Sequence, residues 1–179
     1  RVNLGIFQDD INVVWDLAPH DVSIMNYILN ARPVSVSAIG QSYIRPGIED
    51  VAFLLLRYPQ SAIANIHVSW LNPNKIRSTT VVGSKKMLVY DDLVDDKVIL
   101  FDKGVEMLPT PDSVEEYHMT YRNGRETTVP CDWREPLRVE CEAFTNWIRT
   151  GQVAVSHAWV GVQVVQILEA AQKALLDGG

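Results

Sequence analysis

In the string Trp15-Asp16-Leu17-Ala18-Pro19-His20-Asp21 an aspartate and a histidine stand four residues apart. On a helix, positions i and i+4 share a face, so the Asp16 carboxylate and the His20 imidazole reach each other or a common ligand. Imidazole changes charge near neutrality, which suits a base that takes a proton from a hydroxyl. The start of a helix favours a carboxylate in its ionised form and an imidazole in its neutral form. The same residues also read as a capping aspartate beside a surface histidine, and spacing alone leaves both readings open. The catalytic reading requires the pair to face a hollow large enough for a small substrate.

Other strings offer less. Asp91-Asp92-Leu93-Val94-Asp95 has the DDxxD form of a magnesium-binding motif, but such carboxylates work from helix walls, and these join two expected strands. A solvated turn is the reading. Gly83-Ser84-Lys85-Lys86 lacks the earlier glycine of a phosphate loop and leads from strand to strand, as a hairpin does. His67, His118 and His157 have no ligand spacing with one another or with a cysteine, so no metal site is expected. Cys131 and Cys141 form neither a CxxC pair nor a disulfide framework and read as reduced packing residues. The chain contains no GxSxG elbow and no GxGxxG turn.

These residues need elements to place them. The opening residues 1–7 alternate like a strand, so the chain begins in mid-sheet, as a piece of something longer would. Apolar positions Leu17, Ile24, Met25, Ile28 and Leu29 predict a helix over 16–29, with Asp16 as N-cap, Pro19 in the first turn and a stop near Asn30 and Pro33. From Pro33 the period changes to two. Six strands are expected, within 33–43, 49–58, 61–70, 76–83, 85–92 and 97–102. The short links at Pro59-Gln60 and Gly83-Ser84 can only join antiparallel neighbours. In the third of these strands Ile63, Asn65, His67 and Ser69 oppose Ala64, Ile66, Val68 and Trp70, giving an outer semi-polar face and an inner apolar one.

Residues 104–132 read as an excursion with one strand around Tyr117–Tyr121. A helix opens at Glu135-Pro136, carries Leu137, Cys141, Phe144 and Ile148 at three- and four-residue steps, and ends at Gly151. A last helix follows Ser156, with Val164, Val165, Leu168, Ala171 and Leu175 inward and Gly178 closing it. One strand, a helix, a run of strands and two helices make an α+β fold: an open, mainly antiparallel sheet with helices packed on one face. The other face is free to meet a second copy of the chain.

Composition narrows the function class. With 179 residues, 47% of them hydrophobic and 21% charged, the chain can bury a core and is no disordered or repetitive polymer. A net charge of −6 disfavours nucleic acid and anionic membranes, both of which select clustered Lys and Arg. No apolar run approaches the ~20 residues of a membrane span, and no signal peptide is read, so a cytoplasmic location is expected.

Four segments in order then carry a resemblance: WDLAPHD with SIMNYIL behind it; EDVAFLLLRYPQSAIANIHVSW; TTVVGSKKMLVYDD; and EPLRVECEAFTNWIRTGQ with VGVQVVQILEAAQKAL. Together they resemble the C-terminal domain of the Gfo/Idh/MocA oxidoreductases, the relatives of glucose-fructose oxidoreductase and inositol dehydrogenase. The resemblance implies a glyceraldehyde-3-phosphate dehydrogenase-like C-terminal domain over residues 1–179 that supplies substrate contacts and the oligomer interface. An N-terminal Rossmann domain binding NAD or NADP would lie outside this chain, along with the family's Glu-Lys-Pro motif. No cofactor is expected on this chain alone, and alone it should be inactive. By position, His20 would take the proton of a sugar, polyol or nucleotide-sugar hydroxyl while hydride leaves the same carbon, and Asp16 would orient His20 or share its role. Arg1 and Asn3, on one face of the first strand, and Asn12 and Trp15, just before the helix, are the expected substrate contacts. Relatives that act on UDP-linked amino sugars have a similar tone of sequence. The rival expectation is a non-catalytic scaffold that dimerises through the open sheet.

Overall fold

The computed structural model describes residues 1–5, 7–107 and 119–178. It divides into two compact units, one of residues 1–75 with 134–179 and one of residues 76–133.

The first unit holds β1 (Val2–Leu4), α1 (Val13–Leu29), β2 (Ser35–Gln41), β3 (Val51–Arg57), β4 (Ile63–Ser69), β5 (Leu71–Ile76, whose last residue falls in the second unit), α2 (Pro136–Thr150) and α3 (Ala158–Leu176). Its sheet runs β2-β3-β4-β1-β5. Strands β2, β3 and β4 pair antiparallel, as their short links require, whereas β1 lies parallel to β4 with Val2 opposite Ser69. The β3–β4 link is tight because Gln60 and Ser61 both take positive φ, and Tyr58 N then reaches Ala62 O at 2.8 Å.

The inner face of this sheet carries Ala38, Ala52, Leu54, Leu56, Ala64, Ile66, Val68 and Trp70, all buried. Val13, Val14, Ala18 and Val22 of α1 and Val164, Ile167, Leu168 and Ala171 of α3 close over it. Small residues let the layers approach. A Cβ on Gly40 in β2 would come within 2.9 Å of Leu175 Cδ2 on α3, so glycine is what allows that helix to lie so near the strand.

The α+β class therefore stands, with several corrections inside it. Helix α1 starts a turn earlier than expected. Asn12, not Asp16, is its N-cap, accepting from Val14 N at 3.1 Å and Trp15 N at 3.3 Å. Pro19 consequently sits in the second turn, where it cannot donate to the Trp15 carbonyl. The buried stripe of α1 is Val13, Val14, Ala18 and Val22, while Ile28 and Leu29 are exposed. Helix α2 has the expected ends, Glu135 accepting from Arg138 N and Gly151 at φ 72°, but Leu137, Phe144 and Ile148 are more than half exposed and Cys141 is exposed too. On α3, Val165 is exposed and Ile167 is buried in its place. Both cysteines are free and exposed, so neither is a packing residue.

The second unit is a four-stranded antiparallel sheet in the order β6-β7-β8-β9: β6 (Ser78–Val82), β7 (Met87–Asp91), β8 (Val98–Met107) and β9 (Met119–Thr128). The expected hairpin at Gly83 is present, its amide donating to Lys86 O at 3.0 Å. The excursion read over 104–132 is instead the greater part of a strand pair, with β8 running on to Met107 and β9 covering Met119–Thr128. Of the strand expected at Tyr117–Tyr121, Tyr117 and His118 fall outside the described residues. The DDLVD string is a turn: Asp91 Oδ1 accepts from Leu93 N, and Lys97 Nζ donates to the carbonyls of Asp92 and Val94. Among the described residues no helix is long and apolar enough to cross a membrane.

Candidate functional site

Helix α1 and strand β1 bring most of the expected site residues to one part of the first unit. Asp16 and His20 lie a turn apart on α1, Asp16 partly buried and His20 exposed. Asp16 Oδ2 accepts from Trp70 Nε1 at 2.7 Å. That short contact has the length of a charge-assisted bond, and it fixes a carboxylate that would otherwise rotate freely.

Arg1 reaches the same helix. Its Nε stands 3.7 Å from Asp21 Oδ1, with both side chains mostly buried. At that separation the two form an ion pair without a hydrogen bond, and Arg1 Nε and Asp21 Oδ2 are buried atoms with no hydrogen-bond partner among the described residues. Their hydrogen-bonding capacity is unspent beside the turn of α1 that carries His20. Asn3 lies partly buried on β1, its amide folded back beside Gly5, where a Cβ would meet Asn3 Nδ2 and Trp70 Cδ1 at 3.3 Å.

Asn12 and Trp15 are used differently. Asn12 caps α1 and donates from Nδ2 to Glu49 Oε2 at 2.6 Å and to Gln172 Oε1 at 2.8 Å. Buried and fully bonded, it is a joint between α1, the β2–β3 connection and α3. Trp15 donates from Nε1 to the same Gln172 oxygen at 3.2 Å. Its ring, with Pro19 and Ser23, lines one wall of a cavity of about 440 Å³ whose other wall is His157, Gly161 and Val164 at the head of α3. Asp16 and His20 do not line this cavity, so it does not supply the hollow that the catalytic reading of the pair requires; they occupy the next strip round the helix.

Trp70 is the residue that sequence reasoning left out of the expected site; Asp21 belongs to the same string as Asp16 and His20 but carried no role of its own. Trp70 was visible as the end of an inward apolar series, and its polar N–H was the signal that a buried indole needs an acceptor. Among the described residues no group of three or more His, Cys, Asp or Glu is placed to hold a metal ion.

Residues 8–89 match the family model of the GFO/IDH/MocA C-terminal domain. Over those residues, a little under half of the chain, it is similar to that family. Solved structures share its fold. UDP-N-acetylglucosamine 3-dehydrogenase GnnA from Acidithiobacillus ferrooxidans superposes with a TM-score of 0.80 at 19% identity, over 98% of this chain and 51% of that one. An oxidoreductase from Magnetospirillum magnetotacticum gives 0.75 at 25% identity, over 95% and 52%. The WlbA dehydrogenase from Bordetella pertussis, in complex with NADH and UDP-GlcNAcA, gives 0.66 at 18% identity, over 95% and 44%. The chain spans about half the length of these relatives. No curated protein sequence matches it. The four sequence segments that carried the resemblance map onto α1, the β3–β4 pair, the β6–β7 hairpin, and α2 with α3.

Proposed function

We propose that residues 1–179 form the substrate and oligomerisation domain of a nicotinamide-dependent oxidoreductase that oxidises a hydroxyl of a sugar, polyol or nucleotide sugar. The observation that carries this reading is the anchored Asp16 carboxylate with the exposed His20 imidazole one turn behind it. The relatives that act on UDP-linked amino sugars make a nucleotide sugar the first substrate class to try.

The chain has no GxGxxG turn between a strand and a helix, and none of its described residues is assigned to a dinucleotide. When bound elsewhere in the complete enzyme, NAD or NADP supplies the hydride acceptor. What this chain contributes is the proton side of the reaction. The imidazole of His20 accepts the hydroxyl proton as the carbinol becomes a carbonyl, because a C–H hydride leaves readily only as its oxygen loses charge-opposing hydrogen. Asp16 orients the imidazole. Arg1 and Asp21, with unspent polar atoms, and Asn3 beside them hold neighbouring hydroxyls, and Trp15 offers an apolar ring edge. By this reading the chain on its own does not turn over.

The test is turnover of the complete protein with NAD or NADP and a panel of sugars, polyols and UDP-amino sugars, followed by reduced-nicotinamide absorbance. His20→Ala should lower kcat by at least about 100-fold with the fold intact. Unchanged turnover in that variant removes His20 from the mechanism.

A second reading has its own support. On the outer face of the first sheet Ile39, Phe53, Leu55 and Ile63 are exposed, and Phe53 stacks on His67 at 4.4 Å with the planes 11° apart. Burial holds the His67 imidazole below its ordinary value, so neutral pH leaves that face uncharged at this position. This face is the proposed contact between copies, and a scaffold without catalysis would use it as well. A dimer that binds no sugar and has no turnover with either cofactor favours the scaffold.

A further inference from the structure

Trp70 is 1% exposed, and the backbone on either side of it is tied down. Its N–H donates to Asp50 O at 2.9 Å, its carbonyl accepts from Gly5 N at 3.2 Å, and Phe7 meets its ring edge-on with centroids 5.5 Å apart. Asp50 is itself 1% exposed, and its Oδ2 accepts the amides of Tyr43 and Ile44, both at 2.8 Å. The adjoining Glu49 holds the head of α1, its carbonyl taking Val13 N at 2.9 Å and its carboxylate taking Asn12 Nδ2 at 2.6 Å. One dipeptide, Glu49-Asp50, therefore fixes both ends of the Trp70–Asp16 bond: the backbone of the donor and the helix that bears the acceptor.

A phenyl or leucyl side chain could fill the core at position 70. Only an indole also reaches out of that core with a single donor, and here the donor meets a carboxylate of the candidate site. With Oδ2 engaged, the free oxygen of Asp16 and its negative charge are held at one position relative to His20. We propose that Trp70 is a positioning residue that sets the orientation of the Asp16 carboxylate for the Asp16–His20 pair, an inference that rests on the proton-transfer reading of that pair. Trp70 touches no substrate; it acts through Asp16.

Two measurements test this. In the first, the indole N–H resonances of the protein are recorded by NMR, and Trp70→Phe identifies the one belonging to Trp70. Asp16→Ala should move that resonance upfield, and His20→Ala should leave it close to its place. A Trp70 resonance that ignores Asp16→Ala overturns the proposal; this readout needs no turnover, and should Trp70→Phe fail to fold, the resonance is assigned in the wild type through the contact of the indole with the Phe7 ring. In the second, kcat and KM are compared in the complete protein. Trp70→Phe should lower kcat by about 10- to 100-fold with KM little changed, and combined with Asp16→Ala it should cost nothing beyond Asp16→Ala alone. Losses that multiply in the double variant would show that Trp70 does not work through Asp16. Normal turnover of His20→Ala, by contrast, would sink the proton-transfer reading while leaving the indole shift as it was.

Discussion

Asn12 Nδ2 donates to Glu49 Oε2 across 2.6 Å, joining the first cap of α1 to the β2–β3 connection. The same side chain caps the helix through Oδ1 and reaches Gln172 on α3, so one amide serves three elements. Asn12→Ala removes the cap, takes this donor from the Glu49 carboxylate and leaves the Gln172 side-chain carbonyl with Trp15 Nε1 alone of its two donors. The expected loss is about 2–3 kcal/mol, read as a lower denaturant midpoint with an unchanged slope. A change under about 0.5 kcal/mol would mean that water replaces all three contacts.

Tyr58 should make the protein sensitive to alkali. Burial pushes its hydroxyl up to about 12, and the hydroxyl donates to Asn26 Oδ1 at 2.9 Å on α1. A raised pKa means that the native state prefers the protonated form. The associated stability is complete below the ordinary tyrosine value near 10 and is lost as pH rises through about 12. Tyr58→Phe should be less stable at neutral pH yet show a shallower decline above pH ~10. Parallel alkaline unfolding curves for the two proteins would refute the assignment.

Asp92 should act in the opposite direction, in acid. Burial works to raise its pKa, but the Tyr90 hydroxyl, the Arg77 guanidinium and the Lys97 ammonium outweigh it and hold the carboxyl below its ordinary value. Stability from such a group is present above the unfolded-state value and lost as pH falls through the folded one. Because the pair with Arg77 is partly exposed, the effect is modest. Asp92→Asn should speed amide exchange in the β7–β8 hairpin at neutral pH, with the difference from wild type disappearing as pH falls below the ordinary aspartate range.

The outer sheet face offers a test of association. Ile39 stands opposite Phe53, which stands opposite His67, in one row across β2, β3 and β4. Phe53→Lys with Leu55→Lys should convert an oligomer to monomer in sedimentation while leaving the far-ultraviolet spectrum unchanged. A wild-type protein that sediments as a monomer at all working concentrations would dispose of this interface.

Much of the frame was legible in the sequence because period-two alternation is a local property. Ala64, Ile66, Val68 and Trp70 alternate against Ile63, Asn65 and His67, and the strand's two faces follow. Boundaries were less legible. The start of α1 depended on whether Asn12 or Asp16 would cap it, and both are good caps; tertiary bonds from Glu49 and Gln172 decided for Asn12. The strand Leu71–Ile76 escaped notice because Pro73 and two asparagines read as a turn, yet an edge position tolerates a missing amide. The apolar stripe of α2 has a clear period, but a period says only that one side is apolar, not that anything covers it. Asp16 and His20 were found by spacing; Trp70 was not, because it is distant in sequence and only the folded sheet brings it to Asp16.

The position of β1 has a consequence for how the molecule comes together. Residues Val2–Leu4 form a keystone between β4 and β5, two strands that follow each other directly some sixty positions later. An adjacent pair of strands would ordinarily zip to one another, and here a segment distant in sequence lies between them instead. Disrupting β1, as Val2→Pro would, should therefore leave β4 and β5 without a common neighbour and displace Arg1 and Asn3 in the same stroke, making the integrity of the sheet and of the ligand cradle a single matter.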